Sequence, residues 1–446
     1  MKYYIDLYGC AKNQVDAENM MESLNSSGYT NTDNAEEADL IIVNSCGFIE
    51  SAKKESINAV LSWRKFYPKK KIFLAGCLAE RYGNDLSESL PEADGIYGIN
   101  GITGIAEIRG KAGGNRPLLS MPGTAYVKIS EGCSNNCSYC AIPLIRGALK
   151  SRKMEEIISE CRTLLKRGIK ELCLIAQDTA SYGRDLSPPI GLQHAGLMSA
   201  GLPELLSAIS ALEGDFRVRL LYIHPDHFPM EILDVMEKDK RILPYFDIPF
   251  QHASQKILGA MNRKGNAKIY LGLIRAIRKR LPDAVIRSTF MTGFPGETEE
   301  DFLELLDFQK KAKLSWLGIF TYSREENTLS YNMKERVPKK TALQRKRLLE
   351  ENQIRITETQ MDKFIGKTEI VLTEEKMEAP GGADGGGDGE TLLYLGRLSC
   401  HAPEVDGSAV IFSDRELELG SLIPCRVIGR ANFDLKVRLG YLNVEG

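Results

Sequence analysis

Residues 125–140 read AYVKISEGCSNNCSYC, a short run of β-formers followed by three cysteines spaced CxxxCxxC at Cys133, Cys137 and Cys140. The run predicts a strand, and the polar residues after it predict a loop at the strand's C-terminal end. Toward the C-terminus the same pattern recurs, with strands expected at 125–129, 171–176, 217–223, 245–249, 284–289 and 317–321 and helices between them. Six βα units predict a partial or complete α/β barrel whose chemistry lies on loops at the C-terminal strand ends. Toward the N-terminus, strands at 3–8, 40–43 and 71–75 precede helices at 16–26, 51–63 and near 79–82. That alternation predicts a second parallel sheet with helices on its faces. After the barrel come a charged helix over 338–363 and a tail rich in β-formers.

The chain has 446 residues, 43% apolar and 26% charged, which excludes disorder for most of it and predicts two to four domains. Its longest apolar runs, such as Leu40-Ile41-Ile42-Val43, are far below the ~20 residues of a membrane span. The opening MKYYIDLYGC carries Asp6 within its first apolar stretch, so no signal peptide is expected and the cytosol is the expected compartment. There, ten cysteines are not expected to form disulfides. Charge is uneven: −3 up to Pro122, +7 from Gly123 to Ile365 and −6 from Gly366 onward. An acidic tail is expected to repel a nucleic acid and attract a basic protein.

Three thiolates in one tight loop suit three irons of a 4Fe-4S cluster and leave the fourth iron open to a substrate or cofactor. Structural zinc needs four ligands, yet the first histidine of the chain is His194, far from this loop. A second set, Cys10, Cys46 and Cys77, falls just past three predicted strands of the N-terminal sheet. In a parallel sheet those ends share one edge, so three distant cysteines are delivered to one rim. A second three-cysteine cluster explains this placement; three unrelated core cysteines do not. Cys161, Cys173, Cys400 and Cys425 lie in helical or strand patterns and are expected in cores.

Other residues are less decisive. Gly293, Gly296 and Glu297 form a Gly-rich turn between strand and helix, suited to close approach of a ligand or to a plain tight turn. Gln177-Asp178 and His224-Pro225 follow strands at the barrel rim. His224, His227 and His252 have no carboxylate partner assignable from sequence and are expected to be satisfied loop residues. The basic run 334–347 is expected to be solvated, 110–117 reads as a linker, and 186–203 and 381–389 read as surface loops. No catalytic acid or base can be named.

The CxxxCxxC loop with Tyr139 before its last cysteine resembles the radical S-adenosylmethionine superfamily, and the preceding three-cysteine domain resembles its methylthiotransferases. Finer likenesses point to the RimO branch: YGCAKNQVDAE from Tyr8, VNSCGFIESAKKES from Val43, EGCSNNCSYCAIPLIRG from Glu131, FDIPFQHAS from Phe246, GFPGETEEDF from Gly293 and CHAPEVDG from Cys400. The resemblance implies three domains: a Rossmann-like parallel-sheet domain at 1–118, a radical partial TIM barrel at 119–358 and a small antiparallel β-barrel, TRAM, at 359–446. It implies two 4Fe-4S clusters as cofactors, one on Cys133, Cys137 and Cys140, the other on Cys10, Cys46 and Cys77. S-adenosylmethionine would lie near Tyr139, with Gly293, Gly296 and Glu297 as further contacts. The implied reaction places a methylthio group on the β-carbon of an aspartate in the small-subunit ribosomal protein numbered twelve. S-adenosylmethionine would serve as radical source and methyl donor, and a flavodoxin or ferredoxin as electron donor. Two other readings remain: the sister MiaB-type reaction on a transfer RNA adenosine, against which the acidic tail and APEVDG count, and an iron–sulfur carrier without a reaction, which would normally complete its ligation.

Overall fold

The computed structural model describes residues 1–99, 101–102, 106–107, 114–186, 201–378 and 391–440. The expected loop at 381–389 lies outside these residues, as do most of 186–203 and half of the linker at 110–117.

The N-terminal sheet contains β1 (Lys2–Leu7), β2 (Thr30–Asn31), β3 (Leu40–Ser45), β4 (Lys71–Gly76) and β5 (Gly95–Tyr97), all parallel, in the order β2-β1-β3-β4-β5. All six residues of β3 are buried, as a strand covered on both faces requires. Alternation divides it: Ile41 and Val43 pack with Val60 and Leu78, while Leu40 and Ile42 pack with Met20 and Leu24. Helix α1 (Ala11–Ser26) begins five residues before its expected start. Its first turns bury Lys12, Asn13, Gln14, Asp16 and Glu18, so no apolar period marks them. Helix α2 spans Glu50–Phe66, and α3, expected as a single turn, spans Cys77–Ser89 with a break at Tyr82.

The second sheet contains β6 (Thr124–Lys128), β7 (Glu171–Ile175), β8 (Arg217–Leu220), β9 (Ile242–Asp247), β10 (Val285–Thr292) and β11 (Trp316–Thr321). They pair in parallel, in chain order, into an open six-stranded sheet, the partial barrel expected. The long helix Lys339–Asp362 leads to a closed barrel of β12 (Thr368–Lys376), β13 (Leu392–Arg397), β14 (Ala409–Ser413), β15 (Leu422–Ala431) and β16 (Asp434–Leu439). Its pairings are antiparallel except β14–β16.

This small barrel seats on the open sheet. Tyr126, Cys173, Leu221, Tyr245, Val285 and Trp316 of the sheet share one apolar cluster with Val371, Tyr394, Leu398, Ile411 and Val427. Cys161, Cys173, Cys400 and Cys425 are all buried, as expected. At the joint, fully buried Glu171 takes hydrogen bonds from Arg217, from Arg219 (2.9 Å) and from Arg397 of the small barrel (2.8 Å). Asp406 of CHAPEVDG is also buried and accepts from Tyr245 (2.5 Å) and from the Ala402 amide (2.8 Å). Burial raises its carboxyl to about 6, against the pull of Arg287.

The acidic tail pairs Glu374 with Arg397 and Glu416 with Lys376 within itself and Asp406 with Arg287 of the sheet, which leaves its net charge near −6. One charge expectation needs correction. The basic run is not wholly solvated, because Arg345 is buried against Glu297. No helix among the described residues is long and apolar enough to cross a membrane.

Replacing Glu171 by Ala leaves three guanidinium groups facing one another in the joint. We expect a stability loss of about 3–5 kcal/mol, read by chemical denaturation. A loss under 1 kcal/mol would show that the joint contributes little.

Candidate active site

The three cysteines of the N-terminal domain lie at one sheet edge. Cys10 caps α1, Cys46 follows β3, and Cys77 opens α3. Glycines let the three turns close together. A Cβ on Gly9 (φ 103°) would lie 2.7 Å from Asn13 Nδ2 and 3.3 Å from the Cys46 Cβ, and one on Gly47 would lie 2.7 Å from the Cys77 carbonyl.

The thiols differ in their surroundings. Burial raises Cys46, and it raises Cys77 to about 11 against Arg146. Cys10 opens to solvent on one side while protein encloses the rest. Enclosure raises its thiol, but Lys12, Arg146 and the amides of Asn13 and Lys12 outweigh this and hold it below the ordinary value.

Cys133, Cys137 and Cys140 lie between β6 and the short helix α4 (Ile142–Arg146). Backbone bonds fold the loop: Cys140 donates to the Cys137 carbonyl (3.1 Å) and Cys133 to that of Gly147 (3.0 Å). Only glycine fits at 132, where φ is 69° and a Cβ would lie 2.1 Å from the Ala148 carbonyl. Burial raises Cys133, and raises Cys140 to about 12.

A buried polar set joins the two cysteine groups, and sequence reasoning missed it. Arg146 lies six residues past Cys140. It donates to the Cys77 sulfur (3.1 Å), Asn13 Oδ1 (2.8 Å), Asp16 (2.7 Å) and Glu131 (2.9 Å). Lys128 pairs with Asp16 and with Glu131 (2.7 Å), and Gln177 donates to Glu131 (2.8 Å). Burial opposes the Glu131 charge, yet Lys128 and Arg146 bring its carboxyl down to about 2. Lys12, a further cation, lies with its ammonium 3.2 Å from the centroid of the Tyr222 ring. The one visible sign of this set was charge in stretches that otherwise read as helix and strand.

The histidines also depart from expectation. His227 pairs with Asp178 (2.6 Å), and His224 stacks on His227 at 4.6 Å. Asp178 also receives Asn135 of the cysteine loop (2.8 Å), and His224 Nε2 lies 3.9 Å from the Cys137 sulfur. Burial lowers His224 to about 3, so it is neutral at physiological pH. The missing carboxylate is therefore Asp178, contributed by a different βα loop. His252 is buried near Asp301, its Nδ1 accepting from Ser254 (3.0 Å).

Tyr139 packs on the barrel core beside Arg263. Gly293 (φ 77°) and Gly296 (φ 84°) form a left-handed turn after β10, where a Cβ on Gly293 would lie 2.4 Å from that of Ala342. Glu297 closes this turn, its amide donating to the Phe294 carbonyl (3.0 Å). Its carboxylate accepts from the Gly293 (2.5 Å) and Phe294 (3.1 Å) amides and pairs with Arg345 (2.9 Å), so it holds the turn.

The chain matches the uncharacterized protein family UPF0004 over residues 2–98, the radical SAM superfamily over 127–308 and the TRAM domain over 365–439. It is 46% identical to the ribosomal protein uS12 methylthiotransferase RimO of Treponema denticola, covering 97% of this chain and 99% of that one. The chain belongs to the RimO family. It is 39% identical to RimO of Aquifex aeolicus, over 98% of this chain and 97% of that one. As a RimO family member it is a radical S-adenosylmethionine methylthiotransferase. The fold is also shared with the radical methyltransferase TsrM of Kitasatospora setae, solved with cobalamin and a 4Fe-4S cluster. That likeness has a TM-score of 0.52 at 12% identity, over 74% of this chain and 76% of that one.

In this RimO chain, Arg146→Gln strips a cation from Asp16, Glu131 and Cys77 at once. We expect a loss of about 3–5 kcal/mol in urea, since Lys128 alone must then answer both carboxylates. An unchanged midpoint would show that the two domains hold together without it.

Proposed function

We propose that this enzyme adds a methylthio group to the β-carbon of an aspartate in ribosomal protein uS12, using two 4Fe-4S clusters and S-adenosylmethionine. The observation that carries the reading is the pair of three-thiol rims tied together by Arg146. The relatives named for uS12, which match nearly end to end, support the substrate. Division at 1–118, 119–358 and 359–446 suits the three sheets.

The residues fit such cofactors. Each rim offers three thiols, all free of disulfides, and so leaves one iron of a four-iron cluster without a protein ligand. Among the described residues, no three His, Cys, Asp or Glu side chains converge as ligands of a single metal ion. Cluster thiolates need not converge, because each holds a different iron. Cys133, Cys137 and Cys140 would hold the first cluster and Cys10, Cys46 and Cys77 the second. Bound there, these groups would supply one-electron cleavage of an unactivated C–H bond together with the sulfur and methyl to be added.

The chain's own part is placement. Arg146, Lys128, Asp16 and Glu131 keep the rims facing and exclude water between the domains. Tyr139 and the open backbone of Gly293 and Gly296 would flank S-adenosylmethionine, with Glu297 shaping the turn. A flavodoxin or ferredoxin would bring electrons. A ribosomal protein substrate would place the work in the cytoplasm, with no role for nucleic acid or membrane.

The test is a mass spectrum of uS12 and of transfer RNA after anaerobic reaction with the reconstituted enzyme. A methylthio gain on an aspartate peptide is expected; a gain on adenosine instead refutes the substrate. Replacing Cys10, Cys46 and Cys77 together by Ala should lower bound iron from about eight to about four per chain. Retention of all the iron would refute the second cluster.

A further inference from the structure

The buried set between the two rims contains three cations and two carboxylates. Lys128 and Arg146 each pair with both Asp16 and Glu131. Lys12 pairs with neither, nor with any other carboxylate among the described residues, although it is only 8% exposed. Its ammonium rests on the Tyr222 ring. A ring face recovers only part of what a buried cation loses in leaving water. The anion the chain offers it among the described residues is the Cys10 thiol, so no carboxylate of the chain competes with one brought by a substrate.

Tyr222 gives the position a direction. It stands just past the C-terminal end of β8, at the barrel rim where ligands of this fold are met. Its φ is 64°, a conformation that a bulky side chain rarely takes. The strain is held by hydrogen bonds, the Thr179 amide donating to its carbonyl (2.9 Å) and its own amide donating to Asp247 (3.1 Å). Strain held in this way marks a side chain that must aim at one place. Lys12 approaches the same place from the other domain, two residues past Cys10.

The geometry points to Lys12, backed by Tyr222, as the site that takes the side-chain carboxylate of the target aspartate. This rests on the aspartate reading above. The β-carbon is bonded directly to that carboxylate, so a salt bridge there fixes the reacting carbon between the two rims. Asparagine, with the same shape and no charge, would forfeit the ion pair. A carboxylate also ends the methionyl part of S-adenosylmethionine, and the test separates the two sources.

Reconstituted full-length enzyme is titrated with a labelled uS12 peptide carrying Asp or Asn at the target position, and separately with S-adenosylmethionine. The parent enzyme should prefer the Asp peptide by about 10- to 100-fold, as a charge-assisted bond implies. Lys12→Met should bring the two peptides within about threefold and leave S-adenosylmethionine affinity unchanged. Lys12→Gln carries the same comparison where Lys12→Met fails to take up iron, and Lys12→Arg should keep the preference. A Lys12→Met or Lys12→Gln enzyme that still prefers Asp overturns the proposal, and Lys12 then only offsets charge beside Cys10. Lost S-adenosylmethionine affinity with the Asp preference intact overturns it in favour of the methionyl carboxylate. A parent enzyme that modifies Asp but binds both peptides equally overturns this assignment alone. A parent enzyme that modifies adenosine and leaves Asp untouched removes the substrate reading beneath it.

Discussion

Two carboxylates and two cations packed together, buried Asp16, Lys128 and Arg146 with Glu131 partly exposed, set the geometry of this enzyme. Burying such charges is a poor way to gain stability, because the desolvation cost rivals the attraction. It is a good way to fix position, since misalignment leaves a bare charge in a medium that penalises it. Asp16 belongs to α1 of the N-terminal domain, and Glu131 and Lys128 to the strand and turn before Cys133. Arg146 ends the short helix after Cys140. Each cysteine set is thus a few residues from a charge that must find its partner across the domain boundary. The packing of Cys77 against the helix after Cys140 is a consequence of that requirement.

The C-terminal barrel is held by the same device at the other side of the molecule. Glu171 of the sheet gathers three arginines, one of them Arg397 of the barrel, and Asp406 enters the sheet to meet Arg287 and Tyr245. CHAPEVDG, one of the segments that carry the resemblance to this branch, therefore works from the inside. Its Cys400, His401, Ala402 and Asp406 side chains fill the joint, while Glu404 and Val405 reach the surface. A segment so placed sets how the barrel is presented, and its outward residues inherit a fixed orientation.

The βα alternation was legible in the sequence because parallel strands are written as continuous apolar runs, and β3 and β7 are buried throughout. The cysteine positions were legible because strand ends in a parallel sheet share an edge. The start of α1 was hidden because its first turns bury polar residues against another domain, which erases the period that marks a helix. The Asp178–His227 pair and the Arg146 set were hidden for a related reason. Their members lie 49 and up to 133 residues apart in sequence, and no local pattern links them. Glu297 has a structural role the motif alone does not reveal: its oxygens accept from the turn's own amides and pair with Arg345.

Charge counted by domain favours a protein over a nucleic acid as partner, and pairing inside the fold leaves that count nearly intact. Glu374 and Asp406 are withdrawn from water, but Arg397 of the same tail is withdrawn with them, so the tail's net of −6 falls only to −5. Paired inside the protein, they project little field beyond a Debye length of about 8 Å. The remaining charge steers a partner only within that range, and selection at contact falls to groups beside the cysteine rims. Lys12 is one such group, a buried cation beside Cys10 that no carboxylate among the described residues answers.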